Sequence, residues 1–425
     1  MIVADTRKTL LVTSHVFVPD PAAVGQYVAE VAFEMVRRGH RVVVLTGDRG
    51  YDDPSIRYPS REIVRGVEVI RLPLTSFGKK AIPLRIAGTA SFMLQSVLHG
   101  LLRRKIDGFL FSTTPPLIGV ANALAGALRG VPIAYWAMDL NPDQLVALGK
   151  LSPTSPITTA LDAVNRFYLD RSALVVALDR FMIERLQAKT DLGSRGLVVP
   201  PWPLEDLLAS EGPIAHAENT FRRAHGLEGR VVIMYSGNHT PSNPLDTLIA
   251  SAIRLRDDPE LRFVFVGGGA GKAAVQQAIG THGLRNVVSL PYQALVDLPH
   301  SLSAADVHVV SLGDAMVGIV HPSKVYGAMA VGRPILYFGP RRSHVGDLLD
   351  EANIGLHVAH GDVDGAVEAI RRFQRMSHSE RAEMGAGGRA ILQNRLGREG
   401  LSGLFCDRLE SSLGFRSGQV AKDPV

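Results

Sequence analysis

The residues with the most chemistry to offer lie in one run, Val317-Gly318-Ile319-Val320-His321-Pro322-Ser323-Lys324-Val325-Tyr326-Gly327-Ala328-Met329-Ala330-Val331-Gly332-Arg333-Pro334. Pro322 suits the first turn of a helix, where its missing N–H is no loss. That puts Ser323 and Lys324 in the same turn. N–H groups there have no intrahelical partners and the helix dipole is positive. A lysine is out of place at that end unless an anion is near. A diphosphate answers both features, with Lys324 as its counter-charge. A surface lysine that tolerates a poor position is the competing reading.

Four other constellations carry weaker signals. Pro19-Asp20-Pro21-Ala22-Ala23-Val24-Gly25 joins a strand to a helix. A glycine there lets a ligand approach the backbone, and free N–H groups suit an anion. Read alone, an ordinary turn glycine is the better reading. Ser236-Gly237-Asn238-His239 follows another strand, with Asn238 able to donate and accept. Asp139-Leu140-Asn141-Pro142-Asp143 follows the strand ending at Ala137 and Met138. A carboxylate at that point could take a proton from an acceptor hydroxyl, although Asp and Asn beside Pro are also common turn devices. Gly78-Lys79-Lys80 through Arg85, an apolar stretch to Leu102, and Arg103-Arg104-Lys105 resemble a segment resting on an anionic membrane. A core helix with solvated ends is the alternative.

These residues need a scaffold, and its size follows from the length. The chain has 425 residues, 46% hydrophobic and 20% charged, which implies two domains of a globular protein. Its net charge of +5 suits an anionic substrate or membrane surface and does not call for nucleic acid. Cys406 is the only cysteine, which excludes an intramolecular disulfide and a multi-Cys zinc site. Met1 to Lys8 has no long apolar run, so no signal peptide is expected. The apolar stretch 108–138 is broken by Pro115, Pro116, Arg129 and Pro132 and divides into strand, loop, helix and strand. A cytoplasmic protein is expected.

Apolar runs without alternation, such as Thr9–Thr13, Arg41–Thr46, Phe109–Ser112, Ile133–Ala137 and Leu174–Leu178, read as parallel strands covered on both faces. Helical stretches separate them, beginning with Tyr27, Val28, Val31, Ala32, Met35 and Val36 on one face. Pro200, Pro201 and Pro203 break the pattern, which restarts at Val231–Ser236 and continues through Phe263–Val266, Val287–Leu290, Val307–Ser311, Ile335–Phe338 and an edge strand, Gly355–Val358. The expectation is an α/β protein of two doubly wound Rossmann-like domains, residues 1–199 and 200–394. A C-terminal helix, 395–413, is a candidate to complete the first domain, and 414–425 reads as a flexible tail. Ligands bind at strand C-terminal ends in such sheets, so a cleft between the two domains is the expected active site.

Together these motifs resemble the retaining glycosyltransferases of the GT-B fold (group 1 type), nearest to bacterial colanic-acid and O-antigen polysaccharide transferases. The similarity rests on Pro19–Tyr27, Arg38–Thr46, Tyr235–His239, Gly267–Gly269, Asn286–Gln293, Asp139–Asp143 and the complete P-S-K-x-Y-x-x-M-A-x-G-R-P-I-L from Pro322 to Leu336. It implies a nucleotide-diphosphate sugar as substrate, UDP-linked first and GDP-linked second, and a hydroxyl of a lipid-linked saccharide or small molecule as acceptor. It implies Lys324 and Asp139 as catalytic residues, the latter facing the acceptor or the transferred sugar. Gly25 would lie near the donor phosphate or sugar, Gly237 and Asn238 along the diphosphate, and Gly267 in a Gly-rich turn. Gly318, Ser323 and Lys324 would hold the phosphates, and Tyr292 with Gln293 the base. No metal and no cofactor are expected, because helix N-termini and basic groups stabilise the leaving diphosphate.

The chain departs from that pattern. The family's two glutamates, eight positions apart, fall on Ile319 and Gly327, and the basic pair after the G-N region is replaced by Pro241, Ser242 and Asn243. His321 could supply a compensating contact. Two alternatives follow: a sugar-nucleotide epimerase of the same fold, and a non-catalytic transferase-like partner subunit.

Overall fold

A computed structural model describes residues 7–50, 53–76, 82–203 and 213–415. The chain divides into two compact units, Met1–Pro201 with Glu399–Val425, and Trp202–Arg398. Lys79, Lys80 and the expected tail from residue 416 lie outside the described residues.

The first unit holds an eight-stranded sheet built from β1 (Thr9–Thr13), β2 (Arg41–Gly47), β3 (Arg61–Val64), β4 (Val67–Leu72), β5 (Gly108–Ser112), β6 (Ile133–Trp136), β7 (Ser172–Ala177) and β8 (Gly196–Val198). The order is β3-β4-β2-β1-β5-β6-β7-β8, and every pair is parallel except β3 with β4. All five residues of β1 and of β5 are buried, as strands covered on both faces require.

β3 is absent from the sequence reading. It is an edge strand with only exposed and half-buried positions, so it carries no apolar run. A two-residue turn joins it to β4, with Arg65 at φ 47° and Gly66 at φ 83°. Both values suit the primed hairpin turn, but arginine is not the residue that advertises one.

The C-terminal helix Arg398–Ser412 packs on this first unit. Phe405 lies against Trp136 with ring centroids 4.4 Å apart. Buried Glu410 accepts from Arg38 at 2.8 Å and pairs with His40 at 2.7 Å. Leu413 occupies the space beside Gly108, where a Cβ would stand 2.9 Å from its Cδ1.

The second unit holds six strands, all parallel: β9 (Val231–Ser236), β10 (Leu261–Val266), β11 (Val287–Leu290), β12 (Val307–Ser311), β13 (Ile335–Phe338) and β14 (Gly355–Val358), in the order β11-β10-β9-β12-β13-β14. The helices Asp246–Arg254 and Val363–Arg375 cover one face, burying Leu248, Ile370 and Phe373 against Phe263, Phe265 and Leu336.

Strand order reverses between β1 and β5 in the first sheet and between β9 and β12 in the second. A doubly wound sheet opens a crevice at such a point, beyond the strand C-terminal ends. In the second unit the opening is visible in the ladder. β9 and β12 pair only at Ile233 with Val307 and Met234 with His308, near the start of β12.

Candidate active site

The crevice between β9 and β12 is filled from both sides. After β9 the chain turns at Gly237, with φ 137°, and its N–H donates to Val266 O at 2.9 Å. After β12 it passes Gly318, at φ 69°, and starts a helix at Lys324. The Lys324 side chain crosses to the first turn. A Cβ at Gly237 would stand 2.5 Å from Lys324 Cε and 3.3 Å from its Cδ. Glycine at 237 therefore makes the channel in which the lysine stem lies.

The ammonium sits 5.4 Å from the centre of the Tyr235 ring. Asn243, with its amide turned to satisfy its neighbours, donates to Ser311 O at 2.8 Å and accepts from Lys324 Nζ at 3.3 Å. Burial pulls the ammonium down to about 8. Among the described residues no carboxylate is within ion-pair distance of it. A half-buried cation at a sheet switch point, with no carboxylate of the described residues to oppose it, is suited to an anionic ligand.

The glycine turn after β10 closes one side. A Cβ at Gly267 would meet Gly237 O at 2.1 Å, and one at Gly269 would meet Asn238 Oδ1 at 2.2 Å. Lys272 donates to Gly267 O at 2.5 Å and also to Leu290 O, so its charge is committed to backbone. Tyr292 is 54% exposed and lies over the turn, its Cε2 3.0 Å from where a Gly268 Cβ would be. Gln293 Nε2 donates to Pro291 O at 3.0 Å within its own loop. Gly237, Asn238, Gly267, Tyr292, Gln293, Gly318, His321, Ser323 and Lys324 thus belong to loops at one edge of one sheet.

Three sequence expectations need correction. The helix begins at Lys324 with Ser323 as its cap position, so Pro322 precedes the helix instead of opening it. The Ser323 N–H is not free, because it donates to His321 O at 2.9 Å. The helix spans only seven residues, Lys324–Ala330, so its dipole is small and the ammonium carries the anion argument. The third concerns Gly25. It is buried inside the helix Ala23–Arg37 and its N–H donates to Ala22 O at 2.9 Å. A Cβ there would press on Phe17 N at 3.1 Å and Val16 C at 3.2 Å. The position needs glycine for backbone packing, and it offers no free N–H to an anion.

Asp139 stands three residues beyond β6 in the first unit, half-buried, with its own interactions. Its surroundings are fastened: Asn165 donates to Asn141 O at 2.5 Å, and Lys189 pairs with Asp143 at 2.7 Å. Ile319, at the first departed acidic position, is 2% exposed. Gly327, at the second, has room. An added Cβ would meet only Leu302 Cδ1, at an ordinary 3.5 Å.

The sequence reading gave no role to four residues at these edges. His15 lies two residues beyond β1 at the first unit's switch point and bonds Thr75 O through Nε2 at 3.0 Å; burial lowers its affinity for a proton. Its position after a recognised strand was the available signal. Tyr326 was visible as the tyrosine of the P-S-K-x-Y motif and Asn243 as a departure from the family's basic pair, but neither position pointed to its partner, and His344 had no signal. At the opposite, N-terminal edge of the second sheet, His216, His378 and Asp306 bring their ligand atoms within 4.8 Å of one another. Asp306 is already shared by Arg222 at 3.1 Å, Arg381 at 3.2 Å and the Val232 N–H at 2.9 Å. That cluster is chiefly an ion-pair network.

The two doubly wound units have the fold of GT-B enzymes. Sucrose-phosphate synthase from Thermosynechococcus elongatus superimposes with a TM-score of 0.73 at 16% identity, covering 96% of this chain and 99% of that one. HepE of Anabaena, solved with UDP and glucose, gives 0.70 at 15% identity over 95% of this chain and all of its own. Residues 22–202 match the glycosyl transferase 4-like domain, and residues 217–390 match glycosyl transferases group 1. WcaI of Escherichia coli strain K12, whose name places it in colanic acid biosynthesis as a glycosyl transferase, is 25% identical over 380 residues, 85% of this chain and 91% of that protein. The chain is a glycosyltransferase of group 1, an enzyme that transfers a sugar from a nucleotide sugar.

Proposed function

We propose that the donor is a UDP-sugar and that its diphosphate lies against Lys324 in the β9–β12 crevice. The observation that carries this reading is the Lys324 ammonium, its proton affinity lowered by burial, held alongside Gly237 with Asn243 as its partner and with no carboxylate of the described residues within ion-pair distance. A diphosphate supplies the missing negative charge. As the glycosidic bond to the diphosphate breaks, charge grows on the leaving oxygen, and a fixed, half-buried ammonium stabilises that charge. Lys324 provides the cationic charge that a metal ion would otherwise bring, so the transfer needs no metal. The reading includes retention of configuration, with the acceptor hydroxyl attacking from the face the diphosphate leaves. Asp139 serves on the acceptor side. Tyr292, over the glycine turn, borders the nucleoside.

The acceptor in this reading is a saccharide on a lipid carrier at an anionic membrane face. No described helix is long and apolar enough to cross a membrane. The helix Ile82–Leu102 nevertheless exposes Leu94 at 61%, Leu98 at 46% and Leu102 at 78%, and Leu128 of the neighbouring helix is 72% exposed. Exposed Arg85, Arg104 and Lys105 flank that apolar face, an arrangement that suits an anionic lipid surface.

A thermal-shift screen against UDP, GDP, TDP, ADP and their sugar conjugates tests the donor. A ligand at 100 times its Kd stabilises by about 2.7 kcal/mol. A response confined to UDP compounds, lost in Lys324→Met, supports the reading. A response to another nucleotide alone, or one unaffected by the substitution, refutes it. Transfer that stops when a chelator is added would refute the metal-free step.

A further inference from the structure

One group at the same sheet edge is used by neither the fold nor the reading above. Tyr326, 3% exposed, holds its hydroxyl between two imidazoles. His321 Nε2 is 2.8 Å away on one side and His344 Nε2 is 2.9 Å away on the other. The imidazole centroids are 4.6 Å apart, and the His321 ring lies nearly parallel to the phenol, at 12°. A phenol has one proton. It donates to one imidazole and accepts from the other, so at least one Nε2 must carry hydrogen. The three side chains therefore form a directional chain, and each constrains the tautomer of the next.

The connection is also mechanical. His321 lies in the segment after β12, and His344 opens the helix His344–Glu351 after β13, the neighbouring parallel strand. The His321 carbonyl accepts the Ser323 N–H at 2.9 Å, so the residue held by the phenol also shapes the turn from which Lys324 projects. Tyr326 follows Lys324 by two residues in the same short helix. A seven-residue helix has little cooperativity of its own, so its first turn depends on such side-chain ties.

We propose that Tyr326 and His344 are positioning residues of the donor site. Acting through His321, they fix the imidazole and the Lys324 turn in the arrangement that receives the nucleotide diphosphate. The inference rests on the donor-site reading above and extends it to two residues to which that reading gives no role. Neither side chain is assigned contact with the ligand. Their effect is to remove the freedom that binding would otherwise have to restrict.

Calorimetric titration of UDP, with GDP in parallel, into the full chain tests it. Tyr326→Phe keeps the ring and deletes the hydroxyl; losing two hydrogen bonds should weaken binding about tenfold. His321→Ala should weaken it by a similar factor. The double variant should bind no more weakly than His321→Ala, since both act through one imidazole. His344→Gln, whose amide can still bond the phenol oxygen, should stay within about threefold of wild type. Wild-type affinity in Tyr326→Phe, or losses that multiply in the double variant, would overturn the proposal. Should Tyr326→Phe not fold, His344→Ala carries the same expectation, and unchanged affinity there overturns it. Lys324→Met separates the two ideas. If it loses the nucleotide while Tyr326→Phe keeps it, only this inference fails. If it also binds normally, the donor site itself is misassigned.

Discussion

Replacing Lys324 with methionine should make the protein more stable and less able to bind its donor. Methionine keeps most of the stem beside Gly237 and removes the ammonium. Burial lowers the lysine from its ordinary 10.5 to about 8. At about 1.4 kcal/mol per tenfold, that difference is about 3 kcal/mol of unfavourable free energy carried by the charged, folded form at neutral pH. The sign follows from proton counting. Between pH 8 and 10.5 the unfolded chain keeps this proton and the folded chain has lost it, so wild-type stability rises with pH across that window. Lys324→Met lacks this contribution. Its advantage over wild type should be up to about 3 kcal/mol at pH 7 and should vanish by about pH 10.5. Urea unfolding at several pH values, comparing the two proteins, isolates this group from others that titrate in the same range. UDP titration at pH 7 should show at least a tenfold loss for the variant, the scale of a buried charge pair. A destabilised variant, or a stability difference independent of pH, would refute the claim that the lysine is desolvated. Unaltered UDP affinity would refute its assignment to phosphate. A site that costs stability and gains binding is the expected trade at a functional position.

Gly237→Ala places a methyl group 2.5 Å from Lys324 Cε at φ 137° and should lower Tm by several degrees while weakening UDP binding; a variant with normal Tm and affinity would contradict the channel. Gly327→Ala, in a helix with an open Cβ position, should raise stability by about 0.5–1 kcal/mol, read as a shift in the urea midpoint. Glu410→Ala strips the buried carboxylate from Arg38 and His40 and should cost about 3 kcal/mol, whereas near-neutral behaviour would mean the C-terminal helix is held by Phe405 and Leu413 alone.

Most of the architecture was legible in the residues because it is encoded locally. Short apolar runs such as Thr9–Thr13 and Val231–Ser236, set between turn signals, read as strands, and the spacing of Tyr27, Val28, Val31 and Met35 reads as one side of a helix. Lys324 stood out because a lysine is out of place near a helix start, whereas Gly237 gave only a weak signal on its own. The tertiary structure decided how these pieces combine. It showed that Gly237 is the bed of the Lys324 stem, that Asn243 partners the ammonium across 81 positions of chain (324 − 243), and that Gly25 serves packing. It also moved the anion argument from helix N–H groups to the ammonium, because the Ser323 N–H was already taken by a carbonyl two residues back. A hydrogen bond between residues far apart in the chain leaves no periodic trace in either segment. The ties among His321, Tyr326 and His344 could therefore be read only once β12 and β13 lay side by side.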